Sequence, residues 1–425
     1  MTNSHLRCCN PACGQEQPRD IQTYSCPACQ GLLELSYDFQ LEQAPGWPRL
    51  WQRRLQAGSD LDSSGVWRFR ELLPLFDELT PVVSLGEGRT PLVEAPQAAR
   101  WADVGAFFVK HQGANPTGSF KDLGMTVGVT EAVRRGVGIV ACASTGNTSS
   151  SMAAYAARAG MRSLVFVPQG AVSGAKLAQA IDFGARVVET GENFDQAFRL
   201  LRQMAVELGL YLVNSVNPFR LEGQKTVVLE LLEQRRWQPP DYIVLPGGNL
   251  GNVSAVGKCL AELASLNLLP KMPRLVVVQA AGASPFHQMR FSHRIELSPV
   301  PQPSTRATAI RIGNPANWSK AARALELTEG LTEAVTDEEI RAAKAELAQG
   351  GIGCEPASAA TLAGVRKLRS SGAIEPGAEV VAILTGHQLK DPDYIMEQAQ
   401  SGGGSQALRL DPDPEAIRRG LRDWL

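Results

Sequence analysis

Apolar positions in this chain fall into short continuous runs separated by segments of helical period. Residues 104–109 form an extended apolar run. After it, Phe120, Leu123 and Val127 recur at helical spacing, and Met125, Val129, Ala132 and Val133 widen the same face. A helix is therefore predicted from Lys121 onward. The alternation then repeats. Strands are predicted at 138–142, 163–167 and 186–189, with helices at 151–158, 174–183 and 194–208. Further runs at 242–245, 275–278 and 380–384 are short and continuous enough to be buried on both faces. Strands alternating with helices at this spacing predict parallel sheet under helical cover, an α/β architecture. Ligands of such sheets bind beyond the carboxyl ends of the strands, which is where chemistry is to be sought.

The flanks read differently. Residues 38–84 form a connector rich in Trp, Arg and Leu, with Trp47, Trp51 and Trp67 as packing anchors. Gly86-Glu87-Gly88-Arg89-Thr90-Pro91-Leu92 is a turn-rich approach to the main body. Ser401-Gly402-Gly403-Gly404-Ser405 is a flexible linker, and residues 414–425 read as a short amphipathic helix.

At 425 residues, with 44% hydrophobic and 20% charged positions, the chain has the makings of a large core and two or three domains. A net charge of -1 gives no electrostatic reason for a nucleic-acid or membrane-surface partner. The first residues lack the apolar stretch of a secretory leader, so a cytoplasmic, reducing compartment is expected. In that setting four of the five early cysteines, Cys8, Cys9, Cys13, Cys26 and Cys29, read as metal ligands. Cys26 and Cys29 make one tight knuckle, and Cys13 with either Cys8 or Cys9 makes the facing one. Four thiolates so spaced suit a structural zinc ion in a zinc-ribbon-like module over residues 1–37.

Four strand-end or loop segments carry the candidate chemistry. Lys121, in Asn115-Pro116-Thr117-Gly118-Ser119-Phe120-Lys121-Asp122, is expected in the first turn of its helix, with Ser119 and Asp122 as a capping box. The positive end of the helix dipole and burial both disfavour an ammonium there, which suits an amine nucleophile. Ser144-Thr145-Gly146-Asn147-Thr148-Ser149 follows a strand with hydroxyls and an amide, suited to an anion or a phenolic oxygen. Pro246-Gly247-Gly248-Asn249-Leu250-Gly251-Asn252 is a strand, glycine loop and helix, suited to phosphate. It has neither the Gly-Lys-Ser/Thr ending of nucleotidases nor the glycine spacing of dinucleotide sites. Leu384-Thr385-Gly386-His387 ends a strand in a hydroxyl. An amine, a phosphate cup, an amide and a neutral hydroxyl together describe a pyridoxal-phosphate site.

These motifs, with residues 214–226 (Asn-Ser-Val-Asn-Pro-Phe-Arg-Leu-Glu-Gly-Gln-Lys-Thr) and Ile312-Gly313-Asn314-Pro315, resemble the threonine synthases over roughly residues 85–392. The cysteine-bearing start is similar to an extension found in some members. The resemblance implies the tryptophan synthase β-like, fold type II architecture of pyridoxal-phosphate enzymes. It places a catalytic region at 85–400, with a small domain of about 125–219 inserted in the large one, then the linker and helix at 401–425. It implies Lys121 as the Schiff-base lysine and Asn147 at the cofactor's phenolic oxygen. Gly247, Gly248, Asn249, Leu250, Gly251 and Asn252 would hold the cofactor phosphate, with Thr385 at the ring nitrogen. Ser144, Thr148, Asn214, Ser215 and Arg220 match the positions for the substrate phosphate, and Arg220 has the fork geometry for it. The implied reaction is O-phospho-L-homoserine plus water to L-threonine and phosphate, by a carbon–oxygen lyase that works as a homodimer. Serine/threonine dehydratase and cysteate synthase are alternatives on the same fold. A non-catalytic binding protein carrying the zinc module is an alternative of another class.

Overall fold

The computed structural model describes residues 4–21, 23–39, 41–76, 80–170, 174–191, 194–400 and 409–422. The chain up to Lys390 forms one compact unit, and Asp391 onward forms a second. The second unit contains helices Pro392–Gln400 and Pro414–Gly420, the latter capped by the Asp413 carboxylate on Ala416 N–H. The 401–405 linker and the last residues of the expected tail helix lie outside the described residues.

Three sheets organise the first unit. Strands β1 (Ser4–Cys8), β2 (Glu16–Gln17) and β3 (Leu33–Tyr37) pair antiparallel in the order β2-β1-β3. The main sheet uses β4 (Leu92–Glu94), β5 (Ala106–His111), β10 (Tyr242–Pro246), β11 (Arg274–Ala280), β12 (Leu331–Val335) and β13 (Glu379–Leu384). Its order is β12-β11-β10-β13-β5-β4, parallel throughout except for β4 at the edge. The third sheet, β8-β7-β6-β9, is parallel and built from β6 (Ile139–Ala143), β7 (Arg162–Val167), β8 (Arg186–Glu189) and β9 (Tyr211–Leu212).

The continuous apolar runs of β10, β11 and β13 divide, residue by residue, between two cores. Ile243, Leu245, Leu275, Val277, Val381 and Ile383 point to one side, and Tyr242, Val244, Val276, Val278, Val380 and Ala382 to the other. That period of two is the strand geometry expressed with apolar residues on both faces. Each buried aliphatic chain contributes about 1.5–3 kcal/mol relative to exposure.

The helix Lys121–Arg134 lies between cores, which explains why its apolar positions run so far round it. Leu123 and Val127 join the core of the main sheet, while Met125, Val129 and Ala132 join that of the third sheet. Its neighbour Pro218–Gln234 crosses it backbone to backbone. A Cβ on Gly223 would sit 1.8 Å from Leu123 O, and one on Gly124 would sit 2.6 Å from Arg220 O. This contact fixes Lys121 and Arg220, each at or near a helix start, with respect to one another. The connector is partly helical, and Trp47, Trp51 and Trp67 are buried as expected.

Candidate active site

The loop before Lys121 is held to the loop after β13. Phe120 N–H donates to Thr385 O at 2.9 Å, and His387 N–H donates to Gly118 O at 2.9 Å. Lys121 is the first residue of its helix, but the capping box expected from Ser119 and Asp122 does not form. The Asp122 carboxylate instead accepts from Thr117 N–H, Thr117 Oγ1 and Ser151 Oγ at 2.7, 2.6 and 2.6 Å. A buried carboxylate needs several donors, and these three tie the lysine loop to the helix Asn147–Arg158. Burial pushes Asp122 up to about 6.

Lys121 Nζ lies 4.1 Å from the Phe120 ring centroid. Burial, then the nearby positive charge of Arg220, bring its amine down to about 7, with Glu355 opposing. A large fraction is therefore neutral and nucleophilic at pH 7. Asn147 opens its helix and donates through Nδ2 to Glu355 Oε2 at 2.9 Å. Thr385 Oγ1 donates to Glu355 Oε1 at 2.8 Å. Lys121, Asn147 and Thr385 thus converge on Glu355, a residue the sequence reading did not single out.

In the glycine loop, Leu250 adopts a φ of 62° and turns the chain into helix Gly251–Ser265. The first amides of that helix have no acceptor within it and are suited to an anion. Asn249 is already engaged, its Oδ1 accepting from Ala316 N–H at 2.6 Å. Asn252 Nδ2 is buried with no partner among the described residues. A Cβ on Gly247 would lie 2.7 Å from Val277, so only glycine fits beside β11.

The proposed substrate-phosphate positions separate into committed and uncommitted groups. Asn214 spends its amide on Ala143, accepting from the N–H at 3.2 Å and donating to the carbonyl at 3.0 Å. Ser144 Oγ accepts from Gly146 N–H at 3.3 Å, and Thr148 lies in the first turn of the Asn147 helix. Ser215 O accepts from Asn317 Nδ2 at 3.2 Å. Arg220 differs from all of these. It is 1% exposed, Nη1 donates to Val213 O, and Nε and Nη2 have no partner among the described residues. Burial lowers the guanidinium to about 10.

In the N-terminal module the Sγ atoms of Cys8, Cys13, Cys26 and Cys29 all lie within 4.8 Å of one another. Cys8 and Cys29 sulfurs are 3.4 Å apart, and Cys13 and Cys26 are 3.8 Å apart. A tetrahedron of Zn–S bonds of about 2.3 Å has edges of about 3.8 Å, so the four sulfurs fit zinc. Cys9 stands outside the cluster, buried beside Lys320, Glu34 and Arg323. Of Cys8 and Cys9, Cys8 is the one whose sulfur joins the cluster.

Residues 83–386 match the family described as pyridoxal-phosphate dependent enzyme. The threonine synthase of Methanocaldococcus jannaschii is 43% identical, over 97% of this chain and 98% of that protein. The threonine synthase of Methanosarcina acetivorans is 42% identical over 98% of each.

This chain belongs to the threonine synthase family.

It is accordingly a pyridoxal-phosphate-dependent lyase. The threonine synthase of Synechocystis is 45% identical, over 83% of this chain and 89% of that protein. Among solved structures, the processed threonine deaminase isoform 2 of Solanum lycopersicum superposes with a TM-score of 0.64 at 20% identity, covering 83% of this chain and 89% of that one. Maize serine racemase gives 0.63 at 20% identity, covering 84% and 98%. These two show that threonine synthases share the fold type II architecture with enzymes of other activities, and at such identity they show the fold alone. No helix among the described residues is long and apolar enough to cross a membrane.

Proposed function

We propose that this threonine synthase converts O-phospho-L-homoserine and water to L-threonine and phosphate, with Arg220 as the principal ligand of the substrate phosphate. The observation that carries the assignment is a buried guanidinium with two nitrogens unpartnered among the described residues, near a lysine amine brought down to about 7. A buried cation without a protein carboxylate is costly unless an anion completes it. A phosphate offers the bidentate geometry that Nε and Nη2 present. A dehydratase acting on serine or threonine would leave that group without use.

Lys121 would hold pyridoxal phosphate covalently, the amides at Gly247 to Asn252 would hold its phosphate, and Asn147 and Thr385 would meet the ring's polar edge. When bound, the cofactor supplies the electron sink that makes protons on the substrate's carbon chain removable. Once free, Lys121 Nζ would take the Cα proton and then serve Cβ, an exchange its value near 7 permits. Phosphate would depart from Cγ towards Arg220, and Cγ would gain a proton and become the methyl group. Water would add its hydroxyl at Cβ and leave its proton with the phosphate, and Cα would regain its proton. Ser144, Thr148 and Ser215 flank the phosphate, while Asn214 shapes the strand end by its pairing with Ala143.

The reading also includes one structural zinc ion on Cys8, Cys13, Cys26 and Cys29, a small domain of about 125–219, and a cytoplasmic homodimer. Lys258 donates to Leu35 O at 2.6 Å and Lys320 to Leu33 O at 2.8 Å, so the module is tied to the body by more than apolar contact.

Steady-state kinetics of Arg220→Ala tests the assignment. Loss of two charge-assisted bonds predicts a loss of about 3 kcal/mol, a rise in KM on the order of a hundredfold for O-phospho-L-homoserine. An unchanged KM would move the phosphate to another group.

A further inference from the structure

Glu355 precedes the helix Pro356–Ser370 and is 3% exposed. Its place is built by backbone contacts. Its N–H donates to Gly386 O at 3.0 Å, and a Cβ on Gly386 would fall 2.5 Å from its carboxylate. The carboxylate accepts from Asn147 on one oxygen and from Thr385 on the other.

The direction of the hydrogen bonds around Thr385 can be deduced. Ser358 Oγ accepts from Thr385 N–H at 2.8 Å and from Gly386 N–H at 3.2 Å. Both lone pairs of that hydroxyl are then used, and its own proton faces Thr385 Oγ1 at 3.0 Å. Thr385 Oγ1 receives that proton and sends its single proton to Glu355 Oε1. It has no proton left to donate, only a lone pair with which to accept. A hydroxyl so placed can meet a ring nitrogen only if that nitrogen carries the proton.

We propose that Glu355 is a positioning residue for the cofactor ring, keeping the ring nitrogen protonated by claiming the proton of the Thr385 hydroxyl. This rests on the reading of Thr385 as the partner of that nitrogen. By its residue type alone, a neutral hydroxyl would leave the nitrogen bare. The other charged or titratable groups facing Glu355 are Lys121, Lys390 and the Cys354 thiol. Burial is the largest influence and raises the carboxyl, with the Asn147 and Thr385 hydrogen bonds and the charges of Lys390 and Lys121 acting against it. A proton on the ring nitrogen adds one more positive charge on the side of ionisation.

The test is the nitrogen NMR signal of pyridoxal phosphate labelled with nitrogen-15 in the ring and bound to the full-length protein. The wild-type signal is expected at the protonated position. Glu355→Gln can donate to Thr385 and frees the hydroxyl proton, so its signal should shift to the unprotonated position at equal cofactor occupancy. Glu355→Asp, which keeps the carboxylate, should restore a protonated signal. Thr385→Val severs the link with Glu355 intact and should also give the unprotonated position, which covers the case of a Gln variant that does not fold. An unprotonated wild-type signal overturns the proposal, as does a Glu355→Gln signal identical to wild type while Thr385→Val shifts it. A signal that Thr385→Val leaves unmoved overturns the placement of the ring at Thr385 itself.

Discussion

Lys121, half-buried, and Lys225, fully buried, sit on helices that cross each other, yet their amines are driven in opposite directions. Burial acts to lower Lys225, but Glu222 at 2.6 Å and Glu262 at 2.7 Å outweigh it and raise the group. Lys121 has burial and the charge of Arg220 against its ammonium, with only the more distant Glu355 in favour, and settles near 7. Depth alone therefore does not make a lysine reactive. The absence of a paired carboxylate does, reinforced by a neighbouring cation. Arg220 has no ion-paired carboxylate among the described residues, whereas Arg68, equally buried, is paired with Glu233 at 2.8 Å.

The largest way to break this comparison is to remove each lysine. Lys121→Ala should abolish the visible absorbance of the attached cofactor and cut turnover by roughly a thousandfold or more. Lys225→Met should keep that absorbance but leave the buried Glu222 and Glu262 to share Lys258, costing about 3 kcal/mol in denaturant unfolding. Retained turnover in the first, or wild-type stability in the second, would put the two lysines in the wrong classes.

A pH series sharpens it. The rate of covalent cofactor capture by cofactor-free protein should rise with the neutral amine, half-maximal near pH 7 and level above. Arg220→Ala removes a like charge, so that midpoint should move up toward the ordinary lysine range. A midpoint that does not move would mean burial acts alone. The smallest effect concerns the cysteines. Zinc analysis should find one ion per chain in wild type and in Cys9→Ala, and none in Cys26→Ala; loss of zinc in Cys9→Ala would restore Cys9 as the ligand.

Much of this was legible in sequence because it rests on local pattern. The runs of β10, β11 and β13, the Lys121 helix and the cysteine knuckles each carry their signal within a few residues. Glu355 carried none. A glutamate before Pro356 at a helix start reads as an ordinary capping acid, and its role exists only where Asn147, Ser358 and Thr385 meet it. The capping box failed for a related reason, since Thr117 and Ser151 offered Asp122 better donors than its own helix start. Asn214 and Asn249 sit in the expected motifs but spend their side chains on backbone groups, which residue type cannot reveal.

The most direct measurement is product analysis with the purified, cofactor-loaded protein and O-phospho-L-homoserine. Threonine and inorganic phosphate in equal amounts, both lost in Arg220→Ala at low substrate, is the predicted result. Ammonia released from serine or threonine, with no phosphate released from O-phospho-L-homoserine, would contradict it.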